Sequence, residues 1–209
     1  MLGSRRQRSD DPFTYLMEQS VSPAWTVAIA IRNRFEHLRH VALVGMPGSG
    51  KSAIGKATAK RLALSYADCD QALERRAGCA IAAFFAASGE QAFRDLESEM
   101  LATLLDAADS VIATGGGVVL RPSNRELLQT RSRCVYLRAS SELLWKRLRN
   151  DRRRPLLQVA DPEARLRQMH AERASLYEEV AHVVIDTDGV PFARIVDEVV
   201  RGVTAEAER

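Results

Sequence analysis

His40 to Ser52 reads HVALVGMPGSGKS, and the interpretation of this stretch decides the fold. Val41, Ala42, Leu43 and Val44 form a short apolar run with two β-branched residues, the pattern of a strand buried on both faces of a parallel sheet. The run passes straight into Gly45-Met46-Pro47-Gly48-Ser49-Gly50-Lys51-Ser52, which matches G-x-x-x-x-G-K-[ST], and a helical stretch begins near Lys51. Strand, glycine loop and helix are the context that a phosphate-binding loop requires. A polyphosphate brings several negative charges, so the loop turns backbone N–H groups inward at a helix N-terminus, where the macrodipole adds positive potential. Lys51 can then reach the β- and γ-phosphates, and the Ser52 hydroxyl is placed to ligate Mg²⁺.

Downstream, strand and helix patterns alternate. The helix after Lys51 is expected to turn Ile54, Ala57, Ala59, Leu62 and Leu64 toward the sheet and Lys56, Lys60 and Arg61 toward solvent. A second strand, Leu64 to Ala67, ends in Asp68-Cys69-Asp70. Carboxylates one residue apart at the C-terminal end of a parallel strand lie where open α/β sheets bind ligands, one facing a metal and the other an acceptor. The bland alternative is a helix N-cap, weighed chiefly for Asp70. Residues 71–107 read as helices with a break at Ser88-Gly89. Phe93, Leu96, Met100, Leu101, Leu104 and Leu105 are core by spacing. Arg94 and Glu97, three apart, are either a surface pair worth a few tenths of a kcal/mol, about 0.2–0.5, or an arginine aimed at an acidic substrate and steered by the glutamate.

A third strand, Ser110 to Ala113, ends in Thr114-Gly115-Gly116-Gly117 rather than in the acidic residue expected of a nucleotide-hydrolysing switch. Such glycines expose backbone N–H groups and admit a small ligand against the main chain. A fourth strand (Arg133 to Arg138) and a helix (Ser140 to Arg149) lead to Asn150-Asp151-Arg152-Arg153-Arg154-Pro155-Leu156-Leu157. This basic cluster is either a solvated face or a lid, spanning about residues 150–160, that closes over ATP. A helix from Pro162 to Val180 carries Arg165, Arg167 and Arg173. A fifth strand (His182 to Asp186) and an amphipathic helix to about Thr204 complete a doubly wound parallel α/β sheet.

The chain of 209 residues carries a formal charge of +3, mildly basic and too weak to argue for nucleic acid. Cys69, Cys79 and Cys134 are widely spaced and odd in number, which favours a reducing compartment and simple packing over disulfides or zinc. Residues 1–39 are expected to form a partly ordered arm ending in a short helix, Val27 to Arg39. Its apolar run Ala24 to Ile31 is too short to span a membrane and lacks the pattern of a secretory signal.

GMPGSGKS, Asp68-Cys69-Asp70, GEQAFRDLE (Gly89 to Glu97), Gly115-Gly116-Gly117, Arg154-Pro155-Leu156-Leu157 and Arg173 within RASLY resemble the ordered motif set of shikimate kinase, over about Val41 to Val203. Only the N-terminal arm departs from that family's compact form. The resemblance implies a three-layer α/β/α P-loop kinase with a lid, a five-stranded parallel sheet in the order 2-3-1-4-5, and a kinase domain over residues 40–205. It implies transfer of the γ-phosphoryl of ATP to the 3-hydroxyl of shikimate, with Mg²⁺ as cofactor, in a cytoplasmic monomer without nucleic-acid or membrane partners.

The residue roles follow from the same resemblance. Gly48, Ser49, Gly50, Lys51, Ser52, Ala53, Arg147 and Arg154 would bind ATP, with Arg147 near adenine and Arg154 the lid arginine. Ser52 and Asp68 would serve the metal, and Asp70 would orient or deprotonate the acceptor hydroxyl. Arg94, Gly116, Gly117 and Arg173 would bind shikimate together with Asp70, and Phe85 and Phe93 would wall its pocket. The residue chemistry alone leaves nucleoside monophosphate kinases and gluconate kinase as rivals, because Arg94 and Arg173 suit any anionic acceptor. A ligand sensor that has lost catalysis should have lost Lys51, Asp70 or Arg154, and all are present.

Overall fold

β1 (His40–Val44) has no polar face because it has no exposed one: all its residues are buried, and it pairs in parallel with a neighbour on each side. The computed structural model describes residues 40–149 and 159–205. Beside β1 run β3 (Ser110–Ala113) and β4 (Ser132–Arg138). β2 (Ser65–Asp68) lies outside β3 and β5 (Val183–Asp186) outside β4, giving the order 2-3-1-4-5 with every pairing parallel. This is the expected sheet, and each crossover between parallel strands is spanned by helix.

The helices form two layers. α1 (Lys51–Leu62) packs on β1, β2 and β3, and α7 (Phe192–Thr204) packs beside it on β4 and β5. On the opposite face Ala42, Val44, Ile112, Cys134 and Tyr136 of the strands meet Leu101 and Leu105 of α3 (Ile81–Asp106), Leu128 of α4 (Pro122–Arg131), Leu144 and Leu148 of α5 (Ser141–Leu148), and Leu166, Met169 and Tyr177 of α6 (Pro162–Val180). Strand alternation sends neighbouring β1 residues to opposite layers. Leu43 therefore faces α1, where a Cβ on Gly55 would stand 3.2 Å from Leu43 Cδ1.

The structure differs from the sequence pattern at several element ends. α1 stops at Leu62, and Ala63 takes a left-handed conformation (φ 53°), so Leu64 lies beyond the helix and is half-buried. The first of the helices expected over 71–107 starts earlier, as α2 (Cys69–Ala77), and ends at Gly78 (φ 70°), whose N–H caps Glu74 O. The following turn leaves Cys79 exposed, whereas Cys69 and Cys134 are packed as expected. The break at Ser88-Gly89 is present as an interruption of α3 at Gly89 (φ 80°, ψ 176°). α4 has no counterpart in the sequence reading. Pro122 occupies the first turn of the helix, where its missing N–H costs nothing. The expected helix Val27 to Arg39 and the Arg154-Pro155-Leu156-Leu157 cluster lie outside the described residues.

Candidate active site

All the residues described here gather where β1, β2 and β3 end, the edge at which open parallel sheets receive ligands. The loop after β1 turns through Gly48 (φ 85°) and Gly50 (φ 99°), and Ser49 N–H closes it on Met46 O at 3.1 Å. Gly50 caps α1 without a side-chain acceptor, and no acidic residue enters the first turn. The first N–H groups of α1 thus remain available for an anion. A Cβ on Gly48 would come within 2.9 Å of Leu148 Cγ, and Arg147 Nη1 donates to Gly48 O at 2.9 Å, so α5 backs the loop. Lys51 is buried, with Nζ donating to Gly45 O (2.7 Å) and Met46 O (3.0 Å). The loop itself holds the ammonium in place. Ala53 is exposed in the first turn of α1.

Asp68 ends β2 as a shared acceptor. Its Oδ2 accepts from Ser52 Oγ (2.9 Å) and Tyr66 Oη (2.8 Å), and its Oδ1 accepts from Asp70 N (3.1 Å) and Gln71 N (3.4 Å). The N-cap of α2 is therefore Asp68, not Asp70. Burial, and secondarily the Asp68 carboxylate, push the Tyr66 phenol pKa up, so it remains a neutral donor. The contact between Ser52 and Asp68 brings a hydroxyl and a carboxylate oxygen together beside the phosphate loop. That donor set fits Mg²⁺, which takes one or two protein oxygens and completes its shell with water and phosphate. Among the described residues no cluster of three or more His, Cys, Asp or Glu side chains forms a protein-only cage.

The far end of the site is made of buried charge. Arg94, Glu97 and Arg173 are 6%, 3% and 3% exposed, which rules out the surface-pair interpretation of Arg94 and Glu97. Arg94 Nη1 donates to Glu97 Oε2 at 2.7 Å and Nη2 to Glu90 Oε1 at 3.2 Å, while its guanidinium lies 5.0 Å from the Phe93 ring centroid. Phe85 and Phe93 meet at 5.6 Å. Burial pushes the Glu97 carboxyl above its usual range, and Arg94 beside it pulls the other way. The buried Nε atoms of Arg94 and Arg173 have no hydrogen-bond partner. A buried guanidinium with a spare donor is costly unless an acceptor arrives.

The glycines between β3 and the 3₁₀ turn Val118–Leu120 are required by close approach, not by left-handed backbone. A Cβ on Gly115 would meet Glu97 Oε1 at 2.5 Å and Asp70 Oδ1 at 3.1 Å; on Gly116, Pro47 Cδ at 2.6 Å; and on Gly117, the Arg94 guanidinium. The triplet thus touches the phosphate loop, Asp70 and the buried charges together. Thr114 anchors it by donating N–H (3.2 Å) and Oγ1 (2.9 Å) to Leu43 O of β1. From α6, Arg173 Nη1 (3.1 Å) and Tyr177 Oη (2.5 Å) both donate to Gly116 O.

Of the residues singled out from the sequence, those of the phosphate loop, Asp68, Asp70, Arg94, Gly116, Gly117, Arg147 and Arg173 are brought to this edge, while Arg154 lies outside the described residues. Tyr66 and Tyr177 were not anticipated. Their spacing carries the signal: Tyr66 is two before Asp68 on a strand, and Tyr177 is four after Arg173 on a helix, each on its partner's face.

A five-stranded parallel sheet in this order, with a phosphate loop after its first strand and two buried arginines against the glycine triplet beside it, defines a P-loop kinase. Residues 47–204 match the family model for shikimate kinase. A shikimate kinase of Paracidovorax citrulli is 49% identical over 150 residues, 71% of this chain and 82% of the relative, and one of Aromatoleum aromaticum is 46% identical over 70% and 83%. The solved shikimate kinase of Acinetobacter baumannii in complex with shikimate superposes with a TM-score of 0.80 at 36% identity, covering 85% of this chain and 99% of that one. The chain belongs to the shikimate kinase family.

Proposed function

We propose that the protein transfers the γ-phosphoryl group of ATP to the 3-hydroxyl of shikimate, a step toward the aromatic amino acids. The observation that carries this is the pair of buried arginines, Arg94 and Arg173, flanking a glycine loop that abuts the phosphate loop. A monocarboxylic acceptor needs cations at its far end and a carboxylate near its reacting hydroxyl, and phosphoryl transfer is otherwise positioning and charge stabilisation.

In this reading the acceptor carboxylate accepts from Arg94 and Arg173, with the Gly116 and Gly117 N–H groups beside it. Asp70 accepts a hydrogen bond from the 3-hydroxyl and takes its proton as the oxygen bonds to the γ-phosphorus and the bond to the bridging oxygen breaks, releasing ADP. Gly48, Ser49, Gly50, Lys51, Ser52 and Ala53 hold the phosphates, Arg147 lies toward adenine, and Arg154 supplies a further cation to the transferring group. Ser52 and Asp68 would hold Mg²⁺, which would neutralise charge on the phosphate oxygens.

ADP release measured with shikimate, gluconate and nucleoside monophosphates in parallel tests the proposal. Turnover with shikimate alone is expected, and turnover only with one of the others would overturn it. A cytoplasmic monomer completes the proposal, with residues 40–205 as the kinase domain and 1–39 as an arm outside the chemistry. Every residue given a role follows His40. A chain lacking residues 1–32 should therefore keep its turnover, and a collapse of turnover at an unchanged melting temperature would show that the arm takes part.

A further inference from the structure

We infer that Tyr177 is a positioning residue for the acceptor: its hydroxyl fixes the Gly116 carbonyl, which aims the Gly117 N–H into the acceptor pocket and frees Arg173 to bind the acceptor. Tyr177 is fully buried at 0% exposure and stacks on Tyr136, with ring centroids 5.1 Å apart and planes at 26°. Its single hydroxyl proton goes to Gly116 O at 2.5 Å, and Met46 Sδ of the phosphate loop lies 3.7 Å from the Tyr177 Oη. Burial pushes the phenol pKa up, so the group is a donor throughout the working pH range.

Two consequences follow from that bond. The Gly116 carbonyl and Gly117 N–H belong to one peptide, which is trans, so holding the carbonyl toward α6 turns the N–H to the opposite side. The carbonyl also accepts from Arg173 Nη1 at 3.1 Å. When Arg173 turns to an incoming carboxylate, the tyrosine hydroxyl keeps that carbonyl satisfied. Without it, binding the acceptor through Arg173 leaves a half-buried carbonyl unpaired, a penalty that falls on the acceptor and not on ATP.

The inference rests on the proposed acceptor, so its test has an arm that does not need turnover. In Tyr177→Phe the KM for shikimate should rise about five-fold or more, with kcat and the KM for ATP within about two-fold of the parent. Tyr136→Phe removes a hydroxyl from the same stacked pair and should change none of these. In the ligand-free protein, the Gly117 amide resonance should shift or broaden in Tyr177→Phe and stay in place in Tyr136→Phe. Equal kinetic effects in the two variants, or a lowered melting temperature with both KM values unchanged, would overturn the inference. So would an unmoved Gly117 amide, whatever the acceptor proves to be, whereas a parent inactive on shikimate defeats the proposed function alone.

Discussion

The two ends of the active site are built in opposite ways. The phosphate end is contiguous in sequence, from Gly45 to Ser52, and its donors are backbone N–H groups and one lysine held by carbonyls of its own loop. The proposed acceptor end draws Arg94 and Glu97 from α3, Gly115 to Gly117 from the loop after β3, and Arg173 and Tyr177 from α6, all but the glycines as buried side chains. A polyphosphate is bound by many weak, fixed dipoles, so a single loop suffices. A small carboxylate is bound by a few strong, desolvated charges, and these need a packed shell to hold them before the ligand arrives. Damage at the first end or at Asp70 should therefore stop chemistry, and damage at the second should spoil recognition.

The largest effect tests where the two ends meet. Asp70→Asn should lower kcat by about 10² or more while leaving both substrates bound, as loss of a general base or hydroxyl-orienting group does; a turnover within a few-fold of the parent would assign Asp70 no part in the chemistry. Next, Arg94→Ala and Arg173→Ala should each raise the KM for shikimate by about 10- to 100-fold with the KM for ATP little changed, because each removes a charge-assisted hydrogen bond of about 1.5–3 kcal/mol. Equal weakening of both substrates in steady-state kinetics would erase the division between the ends.

The smallest effect contrasts buried with exposed charge. Arg138 grips Asp186 across β4 and β5 with bonds of 2.5 and 2.8 Å, in water rather than in the interior. The hydrogen bonds from Arg138 hold the Asp186 carboxyl below its ordinary range. A depressed carboxyl stabilises the folded state above its unfolded pKa and loses that contribution as pH falls through its folded one. Asp186→Asn should accordingly cost only about 0.5 kcal/mol near neutral pH, the solvent-screened worth of an exposed pair. The difference should persist above pH about 4 and fade below it in denaturant melts.

By itself the sequence determined the five strands, the phosphate loop and most helices, because these depend on local periodicity and on residue types that tolerate few backbone conformations, whereas the strand order 2-3-1-4-5 was legible only through the family resemblance. Gly50 followed by Lys51 and Ser52 after an apolar run is such a case. α4 escaped because its opening proline is ambiguous until the preceding turn is known. Tertiary structure alone decided that Arg94 and Glu97 are a buried pair rather than a surface one, that Asp68 caps α2 while also accepting from Ser52 and Tyr66, and that the glycine triplet is required by what stands against it. It alone placed Tyr177 on Gly116. Whether a charge is buried, and which carbonyl a phenol meets, depends on chain segments dozens of residues away, and no local pattern encodes their approach.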